Sequence, residues 1–510
     1  MRNRQAVRVI AFVLSFALLA WAQNPAPSRA DDDILLLLDV LLANHTLTQQ
    51  QYDALKLRIT QRGSEPKAAA SPQAAAPAPQ NLTPGQPAAQ KVVTAMDDAV
   101  GFHVGLFDVT FSGEINGFYV HDRADNSKAG CLLCLASTGA QPSSSIRNGL
   151  LPGDLSIKIA TKQNDFDIAV FFGIWPGIQS LETGGLAGNT FGGVNLAPGN
   201  PTGFGVTGVD FRQQYVTVGK ANMGTFKVGR DLGLFGQEAI LNDFTLLGAG
   251  TTNGNVGPGS VTLGRIGLGY IYTDFMPQIT WASPTAHGLQ FTGGIFSPLS
   301  DVVSTTLGLP AFSAPLTGHG QPQFQTKLTY TVPTKGPAKA KFWTNFITQS
   351  MEANASDHTA DTSLAILTGH NVRANGIDYG GKISIGAADF VASGYNGSGI
   401  GTEGLLFLAT SPTGSKRGSQ GGYFQGTYTF AKKTTAGVSW GESCLYLANS
   451  GETANSQAIT RCNSSYVGQL RYSLTKWVNL VGEYTHTHSL SQGRVATTSD
   501  SLALGSIVFF

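Results

Sequence analysis

Side chains able to do chemistry are few and scattered in this chain of 510 residues. "GCLLCL" sets Cys131 and Cys134 at a metal-ligand spacing, but no second pair of ligands stands near them. A loop disulfide or two free thiols are the simpler readings. Cys444 and Cys462 flank a short connection and would staple its base, which stabilises by about 3 kcal/mol in the chain-entropy model. His486 and His488 in "THTH" share one strand face and read as exposed rim residues. "GIDYGGKI" misses a P-loop because Ile383 stands where Ser or Thr is required. The sequence has no zincin motif, nucleophile elbow or catalytic cluster, so neither an enzyme nor a bound cofactor or metal is expected.

What remains is charge at alternating positions. Lys158, Arg212, Lys227, Lys327, Lys382 and Arg471 fall on the polar face of six segments whose residues alternate apolar and polar. "QFQTKLTY" shows the pattern: Phe324, Leu328 and Tyr330 lie on one face, Gln323, Gln325, Lys327 and Thr329 on the other. "YVGQLRYSL" and "VNLVGEYTH" repeat it, with Arg471 and Glu483 on the polar side. Sixteen such strands can be counted from about Asp108 to Phe510. Their connections alternate strictly between short turns ("KQND", "KANMG", "AKKT") and long loops rich in Gly, Ser, Thr and Asn. A soluble sandwich has no reason to keep that asymmetry, whereas a transmembrane barrel does.

Composition agrees. Glycine stands at 63 of 510 residues and charged residues at 13%, against about 7% and about 25% in ordinary globular domains. The 33 basic residues nearly balance the 32 acidic ones, and three of the basic ones sit in the leader, so nucleic acid is not an expected partner. That leader has a basic head (Arg2, Arg4, Arg8), an apolar run from Val9 to Ala20 and the cleavage-like Ala20-Trp21-Ala22. Beyond it no apolar run reaches the roughly 18 residues of a membrane helix. Only a closed barrel then satisfies every backbone group in lipid.

The chain therefore divides into a signal peptide (1–22), a helical segment (23–63), a linker (64–107) and the barrel (108–510). Thr48 with Gln51 starts a helix, and Tyr52, Leu55 and Ile59 recur at helical spacing. So thin a helix pair calls for self-association or docking. The fold class expected is all-β, a 16-stranded antiparallel transmembrane barrel in the outer membrane, with a short N-terminal periplasmic helical segment. The last strand ends at Phe510, where an aromatic girdle would stand, and must close against the first.

A barrel of this size holds water, so something must narrow it. "GRDLGLFGQEAILNDF" with "LGRIGLGYIYTDFMPQITWASPTAHGLQFTGGIF" resembles the general trimeric porins of Gram-negative bacteria. The resemblance implies a third loop folded into the lumen, with Arg230 and Arg265 on the basic side of a constriction and Asp243 and Glu238 on the acidic side. It also implies a homotrimer in outer-membrane lipid that passes small hydrophilic solutes by passive diffusion. "ILLLLDVLLANHTLTQQQYDALKLRI" is similar to the segment that precedes phosphate-selective and dicarboxylate-specific porins. That likeness raises a substrate-specific anion channel as the alternative, and a tether to the cell wall through the N-terminal segment as another. Disulfides at Cys131–Cys134 and Cys444–Cys462 complete the expectations.

Overall fold

Alternation with a period of two becomes a single closed sheet. The computed structural model describes residues 93–96, 99–124, 131–136, 142–178, 209–252, 261–305, 309, 311–353, 371–452 and 454–510. The leader, the helical segment and residues 64–92 of the linker lie outside these. By contact density the chain has two units, and the described residues all belong to the second, Ala89–Phe510.

Sixteen strands make the wall. They are β1 (Phe107–Ala124), β2 (Asp154–Gln163), β3 (Phe166–Pro176), β4 (Val209–Lys220), β5 (Gly224–Leu232), β6 (Phe275–Ala282), β7 (Leu289–Phe296) and β8 (Gln323–Thr331). They continue with β9 (Ala338–Glu352), β10 (Asn371–Ile385), β11 (Ala388–Ser398), β12 (Gly418–Phe430), β13 (Thr434–Tyr446), β14 (Thr460–Ser473), β15 (Val478–Ser491) and β16 (Ala496–Phe509). Each pairs antiparallel with the next, and β16 pairs back onto β1 from Ser499↔Ala124 to Phe509↔Glu114, which closes the barrel. Closure removes every free sheet edge along the wall, the condition lipid imposes.

Burial is inverted relative to a soluble sheet. On β14, Tyr466 and Leu470 are 61% and 54% exposed, while their alternating neighbours Asn463, Ser465 and Gln469 are buried. The apolar face meets lipid and the polar face meets the lumen.

At the seam, the amides and carbonyls of Phe510 and Gly113 bond reciprocally at 3.1 Å and extend the ladder between β16 and β1. β1 runs on below that point. Its lower edge is taken by a hairpin of Val93–Ala95 and Gly101–Val104, the latter paired with Phe107–Thr110. The expected linker thus ends earlier than residue 107. Its final part carries just enough β-forming residues to cover an edge that would otherwise be bare. Higher up, Phe118 lies over Gly505 of β16, where any side chain would collide with its ring.

Cys444 and Cys462 stand directly opposite each other on β13 and β14 and are bonded. Replacing both with serine should lower the barrel's stability by about 3 kcal/mol, read as an earlier urea midpoint in detergent at unchanged slope. An unchanged midpoint would mean that the ladder alone holds this pair of strands.

Candidate functional site

The connection between β5 and β6 turns into the lumen. A loop there has no strand beside it, and a buried N–H without an acceptor costs about 1–3 kcal/mol. The inward faces of the strands supply the acceptors. Gln325 of β8 accepts from the amides of Leu234 (2.7 Å) and Phe235 (2.8 Å). Asp378 of β10 accepts from Gly236 at 2.7 Å, just before the helix α1 (Gln237–Asn242). Gln425 of β12 takes the amide of Phe244 at 2.8 Å, and Ser443 of β13 that of Gly269 at 3.0 Å. Glu483 of β15 accepts from Ala249 at 3.2 Å and from Gly250. The loop is therefore stitched around the inner wall from β8 to β15.

Other connections join it. Leu135, Leu263, Ile266, Leu268, Tyr270 and Leu408 form one core with Tyr423 of β12, Trp343 of β9 and Val391 of β11, against the inner face of the barrel. Asp301, after β7, accepts from Val303 (2.9 Å), Leu408 (3.4 Å), Ala409 (3.2 Å) and the Ser313 hydroxyl, and so ties two loops together. Burial pushes its carboxyl up to about 6, against the pull of those donors.

Asp243 and Arg265 are brought together, but within this core. Asp243 caps the 3-10 turn Phe244–Leu247, accepting from the Thr245 amide (2.9 Å), the Thr245 hydroxyl (2.6 Å) and the Tyr270 hydroxyl (2.9 Å). Arg265 donates to Ser465 Oγ at 3.2 Å. Both are at most 3% exposed, so they do not face each other across open water. Burial raises the Asp243 carboxyl and lowers the Arg265 guanidinium, and their mutual attraction opposes both shifts. Arg230 joins neither group. The register sets it on the face of Phe226 and Val228, opposite in parity to Lys227 and Asp231.

Glu238 lies elsewhere, on α1 against the wall. Its carboxylate accepts from Lys341 of β9 at 2.6 Å and Lys327 of β8 at 3.4 Å, and Lys327 also donates to Gln237. Lys158, Lys227, Lys327, Lys382 and Arg471 occupy inward positions. Lys227 pairs with Asp231 and lies 4.8 Å from the Tyr215 ring centre, and Lys382 pairs with Asp389 at 3.1 Å. Arg212 pairs with Asp210 at 2.8 Å and stacks over Trp175 and Phe275. Sequence reasoning missed Lys341. "AKAKFWTN" does carry the signal, since Lys341 shares parity with the polar Asn345.

Beneath the loop, at the end with the short turns, a vestibule of about 970 Å³ opens among Lys158, Thr217, Gln290 and Asp167. Among the described residues the metal-like group is Glu442 with Cys444 and Cys462; both sulfurs are already in a disulfide, leaving one carboxylate.

No protein-family model matches the chain, and no curated protein sequence does. Among solved structures the fold is similar to the outer membrane channel DcaP of Acinetobacter baumannii. That match has 12% identity, covers 79% of this chain and 97% of that one, and has a TM-score of 0.54. It is also similar to the anion-selective porin from Comamonas acidovorans, at 12% identity over 79% of this chain and 100% of that one, with a TM-score of 0.50. The fold is that of the porin-type outer-membrane barrels.

Two outcomes follow from this geometry. The backbone of Leu268 crosses the wall at Gly441, where an added Cβ would stand 2.2 Å from the Leu268 carbonyl. Gly441→Val should therefore lift the loop from the wall and raise its protease sensitivity at least tenfold, for an opening cost of roughly 1.4 kcal/mol, while the barrel still resists denaturant. The second concerns pH. Asp301 keeps its proton to about pH 6 in the folded chain and to about 4 when unfolded. The folded state thus binds more protons in that window, so the buried placement of this carboxyl loses stability against its opened form as pH rises through it, the desolvation of the charge outweighing its stronger hydrogen bonds. Exchange of the Leu408 and Ala409 amides, corrected for intrinsic rates, should speed up from pH 4 to 6. In Asp301→Asn the trend should vanish.

Proposed function

We propose that this chain is an outer-membrane porin that passes small hydrophilic solutes by passive diffusion, through a water-filled barrel narrowed by the loop after β5. The charged gap between α1 and the wall carries this reading. Glu238 projects from the loop toward Lys327 and Lys341, and the Lys341 and Lys227 side chains keep 39% and 28% of their surface accessible. Toward β12 to β14, by contrast, Leu268 and Tyr423 are fully buried. A solute path would then run along the lysine side, where opposed charges order solutes by size and dipole. Three inward lysines against Glu238 and Asp231 favour anions mildly.

The same lysines favour one second reading, a channel specific for a phosphate- or dicarboxylate-type anion. The anion-selective porin from Comamonas acidovorans shares the fold, which makes this worth separating from simple diffusion. Assignment of the N-terminal helical segment to the periplasm rests on the leader and on the short turns. The homotrimer rests on the resemblance in the constriction stretch. No catalytic step belongs to this reading.

The test is conductance of purified protein in a planar bilayer under a salt gradient. The expected result is a small, reproducible conductance with a weak anion bias. Lys327→Glu with Lys341→Glu should reverse the sign of the reversal potential, and high salt should diminish the bias in both proteins. Saturable block of current by phosphate or a dicarboxylate would favour the specific channel instead. A folded barrel without any conductance would overturn both.

A further inference from the structure

The segment Cys131–Ala136, in the connection after β1, is docked inside the barrel and closed by a disulfide of its own. Cys131 and Cys134 are bonded across a separation of 3 residues, and the Cys134 amide donates to the Cys131 carbonyl at 3.1 Å. This tight ring holds Leu133 at φ 59°, a left-handed conformation that a bulky side chain adopts only under constraint.

The ring presents its neighbours to the wall. Asn463 of β14 accepts from the Leu135 amide at 3.1 Å and donates to the Leu133 carbonyl at 2.8 Å. The Ala136 amide donates to Ser489 of β15 at 2.8 Å. Leu132 exchanges bonds of 2.9 Å with Ala458 and Thr460. The Leu135 side chain, 1% exposed, is seated against Gly267 of the lumen loop. A continuous path of contacts therefore runs from the disulfide to the element that fills the lumen.

Its two sulfurs also lie outside the sheet ladder. Cys131, Cys134 and Cys462 are all half-buried, but Cys444 is 6% exposed and its bond to Cys462 is locked between the paired strands β13 and β14. Cross-linking stabilisation grows with the length of the loop closed. The bond spanning 3 residues therefore gains less from the chain than the one spanning 18. A disulfide that gains little from the chain and has no strand pairing across it is the more readily reduced of the two.

We propose that Cys131–Cys134 is a thiol–disulfide exchange site whose redox state decides whether this loop stays docked in the lumen, with a dithiol as co-reactant. One thiolate of the reductant attacks a sulfur of the pair, forming a mixed disulfide and releasing the other cysteine as thiolate. The second thiol of the reductant then displaces the bound cysteine. Cys131 and Cys134 end as two thiols and the reductant as a disulfide, so two electrons and two protons have passed to the protein. With the ring open, Leu133 returns to an ordinary φ, its carbonyl leaves Asn463, and Leu135 withdraws from Gly267. The effect on permeation rests on the channel reading above; the undocking itself does not.

The test uses the full chain, folded in detergent and in a planar bilayer, with dithiothreitol as the reductant. Cys444→Ser with Cys462→Ser leaves only the pair in question, so that any response belongs to it. At a reductant level that leaves Cys444–Cys462 intact in the wild type, two thiols should accept maleimide labels, the segment Cys131–Ala136 should become cleavable by protease, and conductance should rise. All three should revert on reoxidation. Cys131→Ser with Cys134→Ser should behave as the reduced form under either condition. If the barrel never conducts, cleavage of the loop still decides the matter. A disulfide that resists dithiothreitol until the barrel unfolds would overturn the proposal, as would one that opens with no change in cleavage.

Discussion

Every long connection folded into a barrel's lumen meets the same constraint: its backbone leaves the sheet and still needs acceptors. Here the wall provides them through Gln325, Asp378, Gln425, Ser443 and Glu483, each inward-facing and each bonded to an amide of the loop after β5. Without these side chains the loop would carry several unpaired N–H groups into a partly dry interior, at a cost few contacts could offset. The polar side chains of the wall hold a second layer of chain.

That binding explains why an apolar core exists inside a polar tube. Once the loop is held, Leu263, Leu268 and Tyr270 have a common interior to share with Leu135 and Leu408 from other connections. Asp301 then ties two of those connections to each other. The lumen is filled toward β12 to β14 and keeps accessible lysines near α1. Asymmetry of this kind leaves one side of the lumen packed with side chains and the other lined by charge.

Legibility in the sequence was uneven, for physical reasons. Strand alternation is a local property with a fixed period, so Gln323, Gln325 and Lys327 could be placed on one face and Phe324 and Leu328 on the other before any coordinates. The loop after β5 has no period. Asp243, Arg265 and Glu238 all belong to it, yet the first two share a sealed core and the third meets Lys327 and Lys341 on the wall. Arg230 closes a Gly-Arg motif of the porin type, but the parity of β5 turns it to the outer face. The resemblance located the stretch and could not orient its side chains.

By itself the sequence determined the barrel, through alternation and through short turns opposite long loops. It offered the two cysteine pairs as disulfide candidates from their spacing, and left open whether Cys131 and Cys134 are bonded or free thiols. Only the tertiary structure decided which charges meet. Contacts between a loop and seven different strands depend on where the chain travels through the lumen, and no short-range pattern encodes that path. The inward wall was written residue by residue, whereas its partners were chosen by folding.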